Sequence, residues 1–135
     1  MSPKPREVWS FESPTLPHGN PKFKHHLCIG IGAEFLFVST FRERQERHRG
    51  SIVISNDEIP FLPPTETRRS EISCTTIIRR TFPDPSVPRK NPRGTVDREL
   101  MKKVLRFVRT SPTLAEDERD DILDSIYDYY GADLD

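Results

Sequence analysis

Residues 24–40 leave the chain few ways to fold. They read Lys24-His25-His26-Leu27-Cys28-Ile29-Gly30-Ile31-Gly32-Ala33-Glu34-Phe35-Leu36-Phe37-Val38-Ser39-Thr40. Leu27, Cys28, Ile29 and Ile31 form a short apolar run rich in β-formers. Gly30 and Gly32 offer the backbone freedom that a hairpin turn needs. Phe35, Leu36, Phe37 and Val38 form a second run, of strand rather than helix length. Both runs are apolar on both faces, so other parts of a closed sheet must cover at least one face. The polar residues gather at the ends: Lys24, His25 and His26 where the first strand begins, Ser39 and Thr40 where the second stops. In a tight hairpin those ends lie side by side. A lysine, two imidazoles and two hydroxyls then converge on one rim of an apolar platform, and that rim is the candidate site.

Only a small core is available around this platform. Hydrophobic residues make up 33% of 135, below the usual ~45–50%. The length suits one domain, and the composition suits a compact β-barrel or a dimer that shares burial. Thirteen prolines are about twice the average usage, so several connections are expected to be stiff and irregular. Cys28 and Cys74 fall inside apolar runs, where buried free thiols are the default. Neither shows metal-ligand spacing, and no metal or cofactor is expected. No run approaches the ~18–20 apolar residues of a membrane span. The expectation is a soluble chain without a membrane partner, cytoplasmic by default.

The zero net charge conceals an asymmetry. Residues 113–135 hold nine acids against Arg119 alone, a net of −8. Residues 1–112 hold 20 bases against 12 acids, a net of +8. A basic body with an acidic tail suits a polyanion-binding surface and a segment that competes for it. An ordinary solvated acidic helix fits the tail equally well.

In chain order, residues 7–12 (EVWSFE) alternate as a strand, with Val8 and Ser10 on one face and Trp9 and Phe11 on the other. Residues 13–22 read as a loop, because three prolines and Gly19-Asn20 forbid regular pairing. Residues 41–50 (FRERQERHRG) form a short helix or an exposed loop. Residues 51–55 (SIVIS) are a strong strand. Asn56-Asp57 opens a turn, after which Ile59, Phe61 and Leu62 are expected to plug the end of a barrel. In residues 70–80, Ile72, Cys74 and Thr76 face one way and Ser73, Thr75 and Ile77 the other. Residues 83–92 are a Pro-rich linker. The period then changes from about 2 to about 3.6. Residues 97–109 form an amphipathic helix capped by Thr95 or Asp97. Thr113-x-x-Glu116 is a capping box that opens a second helix, ending at Gly131. The expected class is α+β: a small, strongly bent antiparallel sheet over residues 1–93, then a helical hairpin with an acidic tail over residues 94–135, in one compact domain.

This order, with several of its phrases, resembles the PemK/MazF family of toxin-type endoribonucleases. The phrases are Glu7-Val8-Trp9-Ser10-Phe11 in the first strand and Gly19-Asn20-Pro21-Lys22-Phe23-Lys24 running into His25-His26-Leu27-Cys28-Ile29. Ser39-Thr40 ends the next strand, Ser70-Glu71-Ile72-Ser73-Cys74 enters a later one, and Gly94-Thr95-Val96-Asp97 opens a helix. The match spans roughly residues 6–110. It implies an SH3-like β-barrel, a homodimer, an antitoxin protein as partner, and metal-independent cleavage of single-stranded RNA through the ribose 2′-hydroxyl. The chain departs from the pattern in three places. Lys24-His25 stands where the family has Arg-Pro, the interval from the loop base to Thr40 is short, and the second helix is an addition.

The resemblance and the residues together nominate Lys24, His25 and Thr40 as catalytic. RNA self-cleavage needs a base for the 2′-OH proton, an acid for the leaving 5′-oxygen and positive charge on the phosphorane. Histidine suits the first two, with an unperturbed pKa of ~6.5. Lys24 and the arginines suit the third. Ser39 or Thr40 would hold a non-bridging oxygen. Alternation along a strand lets only one of His25 and His26 join the site. If the face of Leu27 and Ile29 is inward, His25 lies at the barrel mouth and His26 outside. Ser39, Arg42, Arg68, Arg69 and Arg79 are the candidate substrate-binding residues, suited to single-stranded RNA by charge. Two rival readings use the same surface: an interaction module that kept the barrel without the chemistry, and a nucleic-acid-binding regulator.

Overall fold

The computed structural model describes residues 3–12, 23–30, 34–40, 51–79, 92–110 and 116–130. Six strands form one antiparallel sheet: β1 (Glu7–Glu12), β2 (Phe23–Cys28), β3 (Glu34–Thr40), β4 (Ser51–Ser55), β5 (Arg69–Arg79) and β6 (Gly94–Thr95). Their order across the sheet is β4-β5-β3-β2-β1-β6. The sheet curls into a half-barrel, and two helices follow it, α1 (Arg98–Thr110) and α2 (Glu116–Tyr130). The α+β class read from the sequence is the observed one. Among the described residues no helix is long and apolar enough to cross a membrane.

The doubly apolar hairpin is covered on both sides. Cross-strand partners such as Val8, Leu27 and Leu36 share the inner face. They belong to one core with Val38, Ile72 and Cys74 and with Leu100, Met101, Val104, Leu105 and Val108 of α1. The helical residues recur at three- and four-residue spacing, so one stripe of α1 fills the curl of the sheet. Each such side chain contributes about 1.5–3 kcal/mol by leaving water. A second cluster lies on the outer face: Trp9, Phe11, Cys28 and Phe35, with Ile78 packed against it. Ile59 and Leu62 are buried in the main core, and Phe61 packs at its edge, as expected of plug residues.

Strand β2 begins earlier than its apolar run. Its ladder to β1 takes in Lys24, His25 and His26, opposite Phe11, Ser10 and Trp9. The two histidines therefore sit within the strand and not at its entry, and the strand ends at Cys28. Ile29 N and Gly30 N donate to Glu34 O at 3.0 and 3.4 Å, closing the corner. A methyl at Gly30 would meet the Glu34 carboxylate, which would have to swing aside.

Strand β5 corrects one expectation. Ile77 packs against the main core, on the face of Ile72 and Cys74 and not opposite it, while Ile78 joins the outer cluster. The cause is a register irregularity: Phe37 faces Ser73, but Phe35 faces Ile78. An odd number of extra residues on β5 inverts the alternation beyond it. Gly94–Thr95, read as the entry to a helix, pairs with Val8 and Glu7 as the sixth strand. Asp97 is the cap of α1, its Oδ1 accepting from Leu100 N at 2.8 Å. Helix α2 is docked on the body through Leu123, which packs against the main core. The loop 13–22, residues 41–50, most of the linker and Thr113 of the capping box lie outside the described residues.

Candidate functional site

Where β2 begins and β3 ends, the half-barrel opens into a cleft of about 740 Å³. Its walls include Lys24, His25, Val38 and Ser39 from the hairpin, residues 62–67 from the following loop, and Ser70 from β5. Alternation puts His25 with Val38 on the inner face and Lys24 with Ser39 on the outer one. All four reach the cleft because it lies on the rim between the faces.

The hairpin places His25 by pairing it on both sides. Ser10 is its partner on β1, and Val38 its partner on β3. The Ser10 Oγ lies 3.3 Å from His25 Nδ1. His26 has the other fate. It is 0% exposed, with its ring stacked on Phe11 at 3.7 Å and near-parallel, and the rings of Phe35 and Phe37 beside it. His26 lies on the outer face of the sheet, as the alternation implied, and it is buried there rather than exposed.

The opposite wall is a loop that sequence reasoning took only as a plug. Leu62 anchors it in the core. Thr65 accepts from Arg68 N at its carbonyl at 3.1 Å, and its Oγ1 exchanges bonds with the Arg69 backbone at 2.9 and 3.1 Å. Thr67 Oγ1 donates to the same Arg69 carbonyl at 3.4 Å. Arg68 closes the turn with φ of 57°, the left-handed region that costs an L-residue roughly 1–2 kcal/mol. Two threonines, Glu66 and buried Ser70 thereby join Lys24, His25 and Ser39. The cue in the sequence was the polar Thr65-Glu66-Thr67 directly after Pro63-Pro64, at the tip of an anchored loop.

The other nominated residues divide. Thr40 ends β3 with its backbone opposite Ser70, a residue of the cleft wall. Arg68 and Arg69 are exposed at the same end of the sheet. Arg79 lies at the far end of β3 and β5, opposite Glu34. It forms ion pairs with Glu34 at 3.5 Å and with Glu118 of α2 at 3.8 Å. Five residues of strand, about 17 Å, separate that end from Ser39. Arg42 lies outside the described residues.

Chemically, the cleft offers a cation, an imidazole in contact with Ser10, hydroxyls and a carboxylate. Among the described residues no three His, Cys, Asp or Glu side chains gather as a metal site would require. No protein-family model and no curated protein matches the chain.

Proposed function

We propose that this chain is an endoribonuclease of the PemK/MazF kind, acting on single-stranded RNA in the cleft at the hairpin rim. The observation that carries the reading is the convergence of Lys24, His25 and Ser39 on one open cleft walled by residues 62–67 and Ser70. A phosphodiester needs a cation for its charge and donors for its non-bridging oxygens; Lys24 supplies the first and the Ser39 hydroxyl the second, while the Thr65 and Thr67 hydroxyls, which donate to the Arg69 carbonyl, shape the wall. His25 takes the proton of the ribose 2′-OH, the 2′-oxygen attacks phosphorus, and the bond to the 5′-oxygen breaks. The 5′-oxygen leaves with a proton from a water in the open cleft, and the hydroxide so formed takes the proton from the His25 imidazolium, which restores both the water and the base. The products are a 2′,3′-cyclic phosphate and a 5′-hydroxyl. Lys24 faces the charge of the phosphorane, in the place of the family's arginine. Under the same reading the protein is a homodimer held in check by an antitoxin protein.

A second reading has its own support. His26 is stacked away under Phe11, so the cleft has one imidazole where two-step proton transfer would use two. An SH3-like module that binds single-stranded RNA without cutting it fits that arrangement.

The test is incubation of a long, mixed-sequence single-stranded RNA in EDTA with the wild type and with Lys24→Ala, His25→Ala and Thr40→Ala. Discrete cuts with cyclic-phosphate ends are expected. His25→Ala should slow them by about 10²-fold or more, the scale of general-base catalysis. RNA left intact by folded wild-type protein overturns the enzyme and leaves the binding module.

A further inference from the structure

The cleft holds two opposite charges that do not meet. Lys24 comes from the hairpin wall and Glu66 from the loop wall. Among the described residues neither side chain is in an ion pair or a hydrogen bond. A site for phosphate alone has no use for the carboxylate, which repels that charge. A ligand that carries both an anion and a set of donors uses both walls, and a nucleotide is such a ligand. We infer that Glu66 reads guanine: its two carboxylate oxygens accept from N1–H and from the N2 amino group of the base, while Lys24 faces an adjoining phosphate. The inference rests on the proposed binding of single-stranded RNA in the cleft, and it adds the base that the cleft selects.

The loop presents Glu66 from a turn that is fixed on each side. Leu62 is buried in the core, and Pro63 and Pro64 stiffen the next step. Arg68 N donates to Thr65 O at 3.1 Å, which makes residues 65–68 one turn with Glu66 as its second residue. Thr65 Oγ1 and the Arg69 backbone clasp the base of that turn. Glu66 is exposed at the tip. It is the one carboxylate among the described residues that line the cleft. Pro63 and Pro64 give the same wall an apolar stretch, against which the face of a base can lie.

An ionised carboxylate only accepts hydrogen bonds, so it selects among bases by their donors. Single-stranded RNA leaves the Watson–Crick edges open to be read. Guanine places two N–H donors side by side on that edge, matched to the two oxygens of a carboxylate. Adenine and cytosine each offer one amino group beside a ring acceptor, and uracil offers one N–H between two carbonyls. In those three bases an acceptor faces the second carboxylate oxygen and repels it. At a position as exposed as Glu66, the bidentate pair is expected to favour guanine over uracil by about 10-fold.

The test is the binding of short 2′-O-methyl oligonucleotides to the full chain by fluorescence anisotropy. Such oligonucleotides cannot be cleaved by 2′-hydroxyl attack. The sequences are UUUUU, UUGUU and UUIUU, where inosine keeps N1–H and lacks the N2 amino group. Wild type should bind UUGUU about 10-fold more tightly than UUUUU, with UUIUU between them. In Glu66→Gln, checked for fold by circular dichroism, one acceptor becomes a donor, and the preference should fall to about 2-fold or less. Loss of the charge alone would raise the binding of all three alike and leave their ratios standing, so the ratios isolate the reading of the base. Equal binding of UUGUU and UUUUU by wild type, or a preference that survives Glu66→Gln, overturns the inference and leaves RNA binding in the cleft untouched. Failure of wild type to bind any of the three overturns the RNA reading and the inference with it.

Discussion

At the residue scale, single atoms decide what the chain tolerates. The ring of Phe61 lies where a Cβ on Gly94 would be. Gly94→Ala must push that ring off the edge of the core, and overpacking of this kind costs about 1–3 kcal/mol. Urea denaturation should show that loss, and Phe61→Ala in the same chain should remove most of the added penalty. Cys74 is another such case. Its thiol is 0% exposed, and burial pushes its pKa from 9.0 up to about 12. The unfolded thiol ionises from about pH 9 while the folded one keeps its proton to about 12. Stability from this group is therefore intact below pH 9 and falls as pH rises between 9 and 12, by up to about 1.4 kcal/mol per unit. Cys74→Ala should flatten that alkaline decline in melting temperature measured against pH. A slope unchanged by the substitution would assign the decline to other groups.

At the element scale, legibility followed how much of each element's identity is local. Strand β4 was readable to the residue, because Ser51–Ser55 alternates and ends in turn residues. Helix α1 was readable from its stripe, and of its two candidate caps the hydrogen bond selects Asp97. Asp97→Ala should cost about 1 kcal/mol and Thr95→Ala much less, by thermal melts. Strand β6 was not legible. Two residues, Gly94 and Thr95, carry no periodicity, and only the edge of β1 makes them a strand. The inversion of Ile77 was hidden for a related reason: a register shift is a property of the pairing with β3, not of β5 alone. The candidate site was half legible. Lys24, His25 and Ser39 come together as the hairpin implied, and alternation sends the second imidazole to the other face; that Phe11 stacks on it and buries it there was not legible. The wall from residues 62–67 was missed: the polar Thr65-Glu66-Thr67 after Pro63-Pro64 marks a loop tip, but prolines say that a segment is irregular without saying what it approaches.

At the scale of the whole molecule, charge and packing assign different tasks to the two ends of the sheet. At one end Arg79 is engaged by Glu34 and Glu118, and Leu123 ties α2 to the core. A chain lacking residues 113–135 should therefore melt at a lower temperature. Unchanged melting with a gain in RNA binding would make the acidic helix a competitor for the basic surface and not part of the fold. The other end holds the cleft. Lys24→Ala should weaken RNA binding and lower its salt dependence by about one charge, whereas Arg79→Ala should leave both nearly unchanged in filter-binding titrations at several salt concentrations. Under the proposed function RNA enters this cleft, whether or not it is cut there. That claim is tested most directly by amide chemical-shift mapping of the nitrogen-15-labelled protein with a short single-stranded RNA carrying 2′-O-methyl groups, which cannot be cleaved by 2′-hydroxyl attack. The expected shifts concentrate at Lys24, His25, Ser39, Thr65, Glu66, Thr67 and Ser70, with Glu34 and Arg79 still. Shifts centred on Glu34, Arg79 and α2, or none at saturating RNA, would contradict it.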